Sequence, residues 1–86
     1  MPYTVYLKRS AEKELAGLPR EVHQRIIKRL LSLKGNPRPP GAKKLWGGDR
    51  YRIRVGHYRV LYTIDDDLQK IEVSAVGHRR EVYRQD

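Results

Sequence analysis

Tyr51 to Ile64, YRIRVGHYRVLYTI, is the stretch that decides the fold, because it reads as two alternating strands folded back on each other at Gly56-His57. With that pair as the turn, Val55 faces Tyr58, Arg54 faces Arg59, Ile53 faces Val60 and Tyr51 faces Tyr62. Tyr51, Ile53, Val55, Tyr58, Val60 and Tyr62 then point one way, as the half-buried face of a sheet does. Arg52, Arg54 and Arg59 point the other way, onto an exposed face. Like charges set directly opposite each other across a strand pair repel. Arg54 against Arg59 therefore lowers stability unless an anion neutralises the pair, which marks this face as a candidate site.

Working outward, the preceding stretch GNPRPPGAKKLWGGDR (residues 35–50) is too dense in Gly and Pro to continue a helix and reads as an exposed loop. Within it, Leu45 and Trp46 are expected to pin the loop to the core, with a nucleobase as the alternative partner for Trp46. Lys43 and Lys44 stay in solvent, where a backbone phosphate can meet them. Before the loop, Val22, Ile26, Leu30 and Leu33 recur at helical spacing, widened by Ile27 and Leu31, which predicts an amphipathic helix from Pro19 to about Lys34. Its other side, with Arg20, Arg25, Lys28 and Arg29, reads as a solvated face, with the tracking of phosphates as the alternative. A shorter helix precedes it, N-capped by Ser10 and ended by Gly17, with Glu12 and Glu14 near the positive end of its dipole. Ala11, Leu15 and Leu18 form its apolar stripe. Tyr3 to Leu7, β-branched and aromatic, predicts a first strand.

Downstream, Asp65-Asp66-Asp67 lies in the turn before a last strand at about Lys70 to Val76. The three aspartates lack the alternate spacing, the glycine and the distal glutamate of a calcium loop, so they are not read as a metal site. The tail, GHRREVYRQD, places His78, Arg79, Arg80, Tyr83 and Arg84 just past that strand. The order is strand, two helices, loop and three strands, which predicts an α+β fold with a helix hairpin on one face of a small sheet and the arginines on the other.

Nineteen Lys and Arg against ten Asp and Glu give the 86 residues a net charge of +9, the electrostatic footprint of a polyanion partner, with nucleic acid the leading one. This length suits a single domain over residues 1–86 with no second domain for a cofactor. Disulfides and thiolate metal sites are excluded by the absence of cysteine, and His23, His57 and His78 have no partner at ligand spacing. The N-terminus has no apolar leader and no stretch is long and apolar enough for a membrane span, so a cytoplasmic protein without cofactor is expected.

The helix pair, KKLWGGDRYRIRVGHYRVLY and the closing VGHRREVY together resemble the RelE/ParE superfamily of toxin proteins over essentially the whole chain. The HR pair followed by VY is similar to the RelE branch. The resemblance implies a RelE-like fold with a mainly antiparallel sheet of about four strands and a short C-terminal tail. It also implies the toxin of a type II toxin-antitoxin system, an endoribonuclease that cleaves messenger RNA in the ribosomal A site and is silenced in a hetero-oligomer by a RelB-like antitoxin with an acidic segment. The alternatives are a ParE-like poison of DNA gyrase and a basic nucleic-acid-binding domain without chemistry.

Carried over by residue, the family's basic pair on the second strand falls on Arg52 and Arg54, its third-strand arginine on Arg59, its tail arginine on Arg79 and its tail tyrosine on Tyr83. The best-known members have lysines where this chain has Arg52 and Arg54, and a longer turn than Gly56-His57. Arginine keeps its proton in any realistic site, so neither residue can act as a base, though either can grip phosphate in bidentate fashion. RNA cleavage without a metal needs a base for the 2′-hydroxyl, cations for the charge growing on the phosphate and an acid for the leaving 5′-oxygen. Arg54 and Arg59 are assigned to the phosphate oxygens, Arg52 to the flanking backbone, Arg79 to the phosphate or leaving group and Tyr83 to proton transfer. His78 is a rival for that last role, and Lys43, Lys44 and Arg80 are further RNA contacts. The expected products carry a 2′,3′-cyclic phosphate and a 5′-hydroxyl.

Overall fold

A computed structural model describes residues 2–78, and within them the chain forms β1 (Thr4–Leu7), α1 (Arg9–Ala16), α2 (Arg20–Leu33), β2 (Lys43–Lys44), β3 (Arg50–Val55), β4 (Tyr58–Asp65) and β5 (Lys70–His78). The strands make one sheet in the order β1-β5-β4-β3-β2. β1 runs parallel to β5 and the other neighbours are antiparallel, so the sheet is mixed and has five strands rather than about four. The additional strand is β2, which pairs Lys43 with Arg52 and Lys44 with Tyr51 inside the stretch expected to be all loop. Two residues are too few to show the alternation by which a strand is read.

The hairpin has the register its alternation dictates, with Tyr51 opposite Tyr62, Ile53 opposite Val60, Arg54 opposite Arg59 and Val55 opposite Tyr58. Gly56 turns the chain at φ +61 while His57 keeps a negative φ, the type II′ pattern in which only the first central residue must be left-handed. The apolar face of this hairpin receives Ala11 and Leu15 of α1 and Ile26, Leu30 and Leu33 of α2, all buried with Ile53, Val60, Tyr62, Ile71 and Val73. Leu31 departs from the expected stripe and is exposed. No helix among the described residues is long and apolar enough to cross a membrane.

α1 begins at Arg9, and its cap residue Lys8 makes no side-chain capping bond, so Ser10 is not the N-cap. The sheet sets this start: the Lys8 amide still donates to the Val73 carbonyl at 2.9 Å, carrying the β1–β5 ladder to the last residue before the helix. β5 contains an irregularity that its sequence does not announce. Leu61 pairs with Ala75 but Tyr62 with Val73, leaving Ser74 as an extra residue whose hydroxyl donates to the Leu61 carbonyl at 3.3 Å. The Val76 amide beyond it donates to Oε1 of Glu14 at 3.0 Å, so α1 helps hold the bulge. Past the bulge the alternation switches: Val76 joins the helix-side core and Ala75 packs with Leu61 and Leu45 on the opposite face.

Candidate nucleic-acid interface

Arg52, Arg54 and Arg59 share the sheet face turned away from the helices, since each alternates with a residue of the helix-side core. Arg54 is exposed, but Arg52 and Arg59 are only 4% and 5% exposed, which corrects the expectation that the arginine face is open throughout. Strand order is the reason. β4 is the central strand and is flanked on both sides, and Gly77, the β5 partner of Arg59, has no side chain to compete for space there. Arg52 is covered on one side by Leu61's strand and on the other by β2, through its pairing with Lys43. Burial lowers the pKa of Arg52, and the neighbouring charge of Arg54 adds to the shift. Its Nη1 is buried and has no hydrogen-bond partner among the described residues.

Lys43 and Lys44 are both exposed on β2, at the sheet's edge. Lys43 sits across from Arg52 and joins the arginine face, while Lys44 sits across from Tyr51 on the other side. Leu45 packs against the Leu61–Ala75 cluster as expected, but Trp46 is fully exposed and pins nothing. The bulge at Ser74 separates His78 from the arginines. His78 stands opposite Tyr58, with the two rings in edge contact at 5.8 Å, on the side of the sheet that carries the helices. Arg79, Arg80 and Tyr83 lie outside the described residues.

Sequence reasoning missed Arg38, which organises the other end of the hairpin. Its guanidinium donates to both carboxylate oxygens of Asp66, at 3.2 and 2.9 Å, and through Nε to the Tyr51 hydroxyl at 3.1 Å. The Tyr3 hydroxyl donates to the same carboxylate at 2.7 Å. The Arg38 bond, then that of Tyr3, holds the Asp66 carboxyl below the usual carboxylate range, and Asp66 in turn raises the pKa of Arg38. Tyr62, stacked on Tyr51 at 5.9 Å, donates to the Pro37 carbonyl at 2.8 Å, and burial pushes its phenol up to about 12. Asp65 accepts from the Leu68 amide at 3.0 Å and so shapes the turn in which Gln69 is left-handed. The acidic cluster thus clamps the Pro-rich loop and the β4–β5 turn. A lone arginine between Pro37 and Pro39 and an otherwise unexplained aspartate run farther along the chain were the available signals.

Residues 5–83 match the sequence signature described as the ParE toxin of the type II toxin-antitoxin system parDE. Toxin RelG of Mycobacterium tuberculosis is 32% identical over 98% of this chain and 99% of its own, and putative toxin RelE1 of Methanocaldococcus jannaschii is 30% identical over 98% of each. Among solved structures, the archaeal RelE-RelB complex from Pyrococcus horikoshii matches with a TM-score of 0.83 at 29% identity, covering 92% of this chain and 97% of that one. The isolated RelE toxin of E. coli matches with a TM-score of 0.79 at 31% identity, covering 96% and 93%. Sequence signature, relatives and fold agree that the chain belongs to the RelE/ParE superfamily of type II toxin-antitoxin toxins, in its RelE-like branch.

Proposed function

We propose that this toxin is an endoribonuclease that cleaves messenger RNA in the ribosomal A site without a metal cofactor and so stops translation. The observation that carries the reading is the cross-strand pair Arg54–Arg59 flanked by Arg52, three arginines gathered on one face, two of them buried. Like charges opposite each other across a strand pair repel, and a phosphate seated between guanidinium groups is gripped by charge-assisted hydrogen bonds. In the proposed reaction Tyr83 takes the proton of the 2′-hydroxyl. The 2′-oxygen bonds to the adjacent phosphorus, the bond from phosphorus to the 5′-oxygen breaks, and that oxygen takes a proton from water and leaves as a hydroxyl. Arg54 and Arg59 hold the charge on the non-bridging oxygens, and Arg79 holds the phosphate or the leaving group. Arg52, Lys43 and Arg80 hold flanking RNA, whereas Lys44, across from Tyr51 on the other side of the sheet, is not part of that face. The placement of His78 beside Tyr58 favours Tyr83 over His78 for proton transfer.

Related toxins have been solved with their antitoxins, including a RelBE2 complex from M. tuberculosis and the P. horikoshii RelE-RelB complex. By analogy, a RelB-like antitoxin with an acidic segment silences this chain in a hetero-oligomer, and that binding weakens as salt rises. The ParE-named signature supports a second reading, the poisoning of DNA gyrase. Pulse-labelling after induction separates the two. The ribonuclease stops amino-acid incorporation with DNA intact, and broken DNA with continuing protein synthesis would overturn it.

A further inference from the structure

The arginine face does not end at the edge of the sheet. β2 pairs only with Tyr51 and Arg52, so among the described residues the outer edge of β3 from Ile53 to Val55 has no neighbouring strand. In that notch lies an open groove of about 490 Å³ whose charged lining is Arg29, Lys43, Arg52 and Arg54, with no carboxylate. Pro40, Gly41 and Val55 complete the lining, and a side chain added at Gly41 would meet nothing within 4 Å. Arg29 comes from α2, on the opposite side of the sheet from Arg54. Two of the lining arginines each have a buried nitrogen, Nη1 of Arg52 and Nε of Arg29, without a hydrogen-bond partner among the described residues.

Buried guanidinium N–H groups are ordinarily satisfied, and leaving them unmade costs free energy that a ligand can recover. The lining favours an oxyanion, and the planar arginine fork fits a phosphate. A second groove, of about 420 Å³, adjoins the first through Arg29 and Val55 and is lined by Arg25, Lys28 and Ser32. Positions 25, 28, 29 and 32 fall on one helical face, so the cations continue along α2 as a track.

We propose that RNA leaves the candidate cleavage site over the edge of β3, and that a phosphate flanking the scissile one binds in the notch between Arg29 and Arg52. This rests on the ribonuclease reading and extends its footprint onto α2, a surface whose cations read in sequence as a solvated face with phosphate tracking as the alternative. Arg29 is here a binding residue for the RNA backbone.

The test is the affinity of the full chain for a single-stranded oligoribonucleotide with every 2′-hydroxyl methylated, so that binding is measured without cleavage, over a series of salt concentrations. Arg29→Gln should weaken binding about tenfold at low salt and lower the slope of log affinity against log salt by about 0.7, the release expected for one single-strand phosphate contact. Arg29→Lys, which keeps the charge, should retain the slope. Arg20→Gln, on the same helix outside the groove, should match the parent. If Arg29→Gln matches Arg20→Gln while the parent binds and cleaves RNA, the notch proposal falls and the ribonuclease reading stands. If Arg29→Gln spares RNA affinity but weakens binding of an acidic antitoxin segment, the occupant is protein and the proposal is overturned. If the parent neither binds nor cleaves RNA, both fall together.

Discussion

Arg38 and Arg52 serve opposite faces of one hairpin, through neighbouring positions of β3, and the protein treats their charges in opposite ways. Arg38 meets a carboxylate, Asp66, in a two-point ion pair at 2.9 and 3.2 Å, lies with its guanidinium 5.3 Å from the centre of the Tyr51 ring, and has its pKa raised. Arg52 is more deeply buried, has Arg54 as its charged neighbour, and has its pKa lowered. A cation set against an anion and a phenol ties a loop to the sheet. A cation buried beside other cations opposes folding and suits a ligand that the chain does not itself supply. The difference separates charge that builds the fold from charge held ready for a polyanion, which the net +9 alone cannot do.

The sharpest break between the two regions is in cleavage rate. Arg54→Ala should slow single-turnover RNA cleavage by about 10² to 10³, the scale of losing one preorganised charge donor at the transition state, while melting stays at or slightly above the parent value. Arg59→Ala should lose activity similarly but also melt lower, because Arg59 is buried and its stem is packed. Equal stability of the two variants would contradict the burial argument. In the tail, Tyr83→Phe should slow cleavage by about 10², and His78→Ala by less. A dead His78→Ala, with a parent rate that breaks near the histidine range of about 6.5, would transfer the proton role to His78.

A smaller effect tests the arginine comparison directly. Arg52→Met should leave stability unchanged or raise it by about 1 kcal/mol and weaken RNA binding about tenfold, whereas Arg38→Met should lower stability and leave RNA binding near the parent value. The same sign for both in unfolding experiments would remove the distinction. The smallest effect lies on the Arg38 side. Tyr62 is neutral when folded and titrates at about 12, against about 10 for a free phenol, so its contribution is complete below about 10 and is lost as pH rises through about 12. Tyr62→Phe, which removes the bond to the Pro37 carbonyl, should lower stability by about 1 kcal/mol at neutral pH and flatten the alkaline loss in pH-dependent unfolding.

How much of this was legible in the sequence depends on the range of the interaction that decides each feature. The register of Tyr51 to Ile64 was, because strict alternation and a glycine at the turn leave one pairing that keeps all six apolar side chains on one face. The stripe of Ile26, Leu30 and Leu33 was legible for the same reason at helical period. The burial of Arg59 was not, since it follows from β4 being the central strand, and strand order is not written in a strand's own residues. Nor was the position of His78: KIEVSAVGH carries no mark that Ser74 is an extra residue, yet that one residue moves everything after it to the other face. Arg29 and Arg38 are placed by contacts across the fold, so local pattern favoured a solvated face for Arg29 and gave no reading for Arg38.

If the arginine face promotes attack of a 2′-hydroxyl on its own phosphate, the ends of RNA cut by the purified toxin, on ribosomes programmed with a short message and with EDTA present throughout, carry the mark of that attack. Cleavage that persists in EDTA and leaves a 2′,3′-cyclic phosphate beside a free 5′-hydroxyl is the predicted result. A 5′-phosphate product, or cleavage abolished by EDTA and restored by a divalent cation, would contradict it.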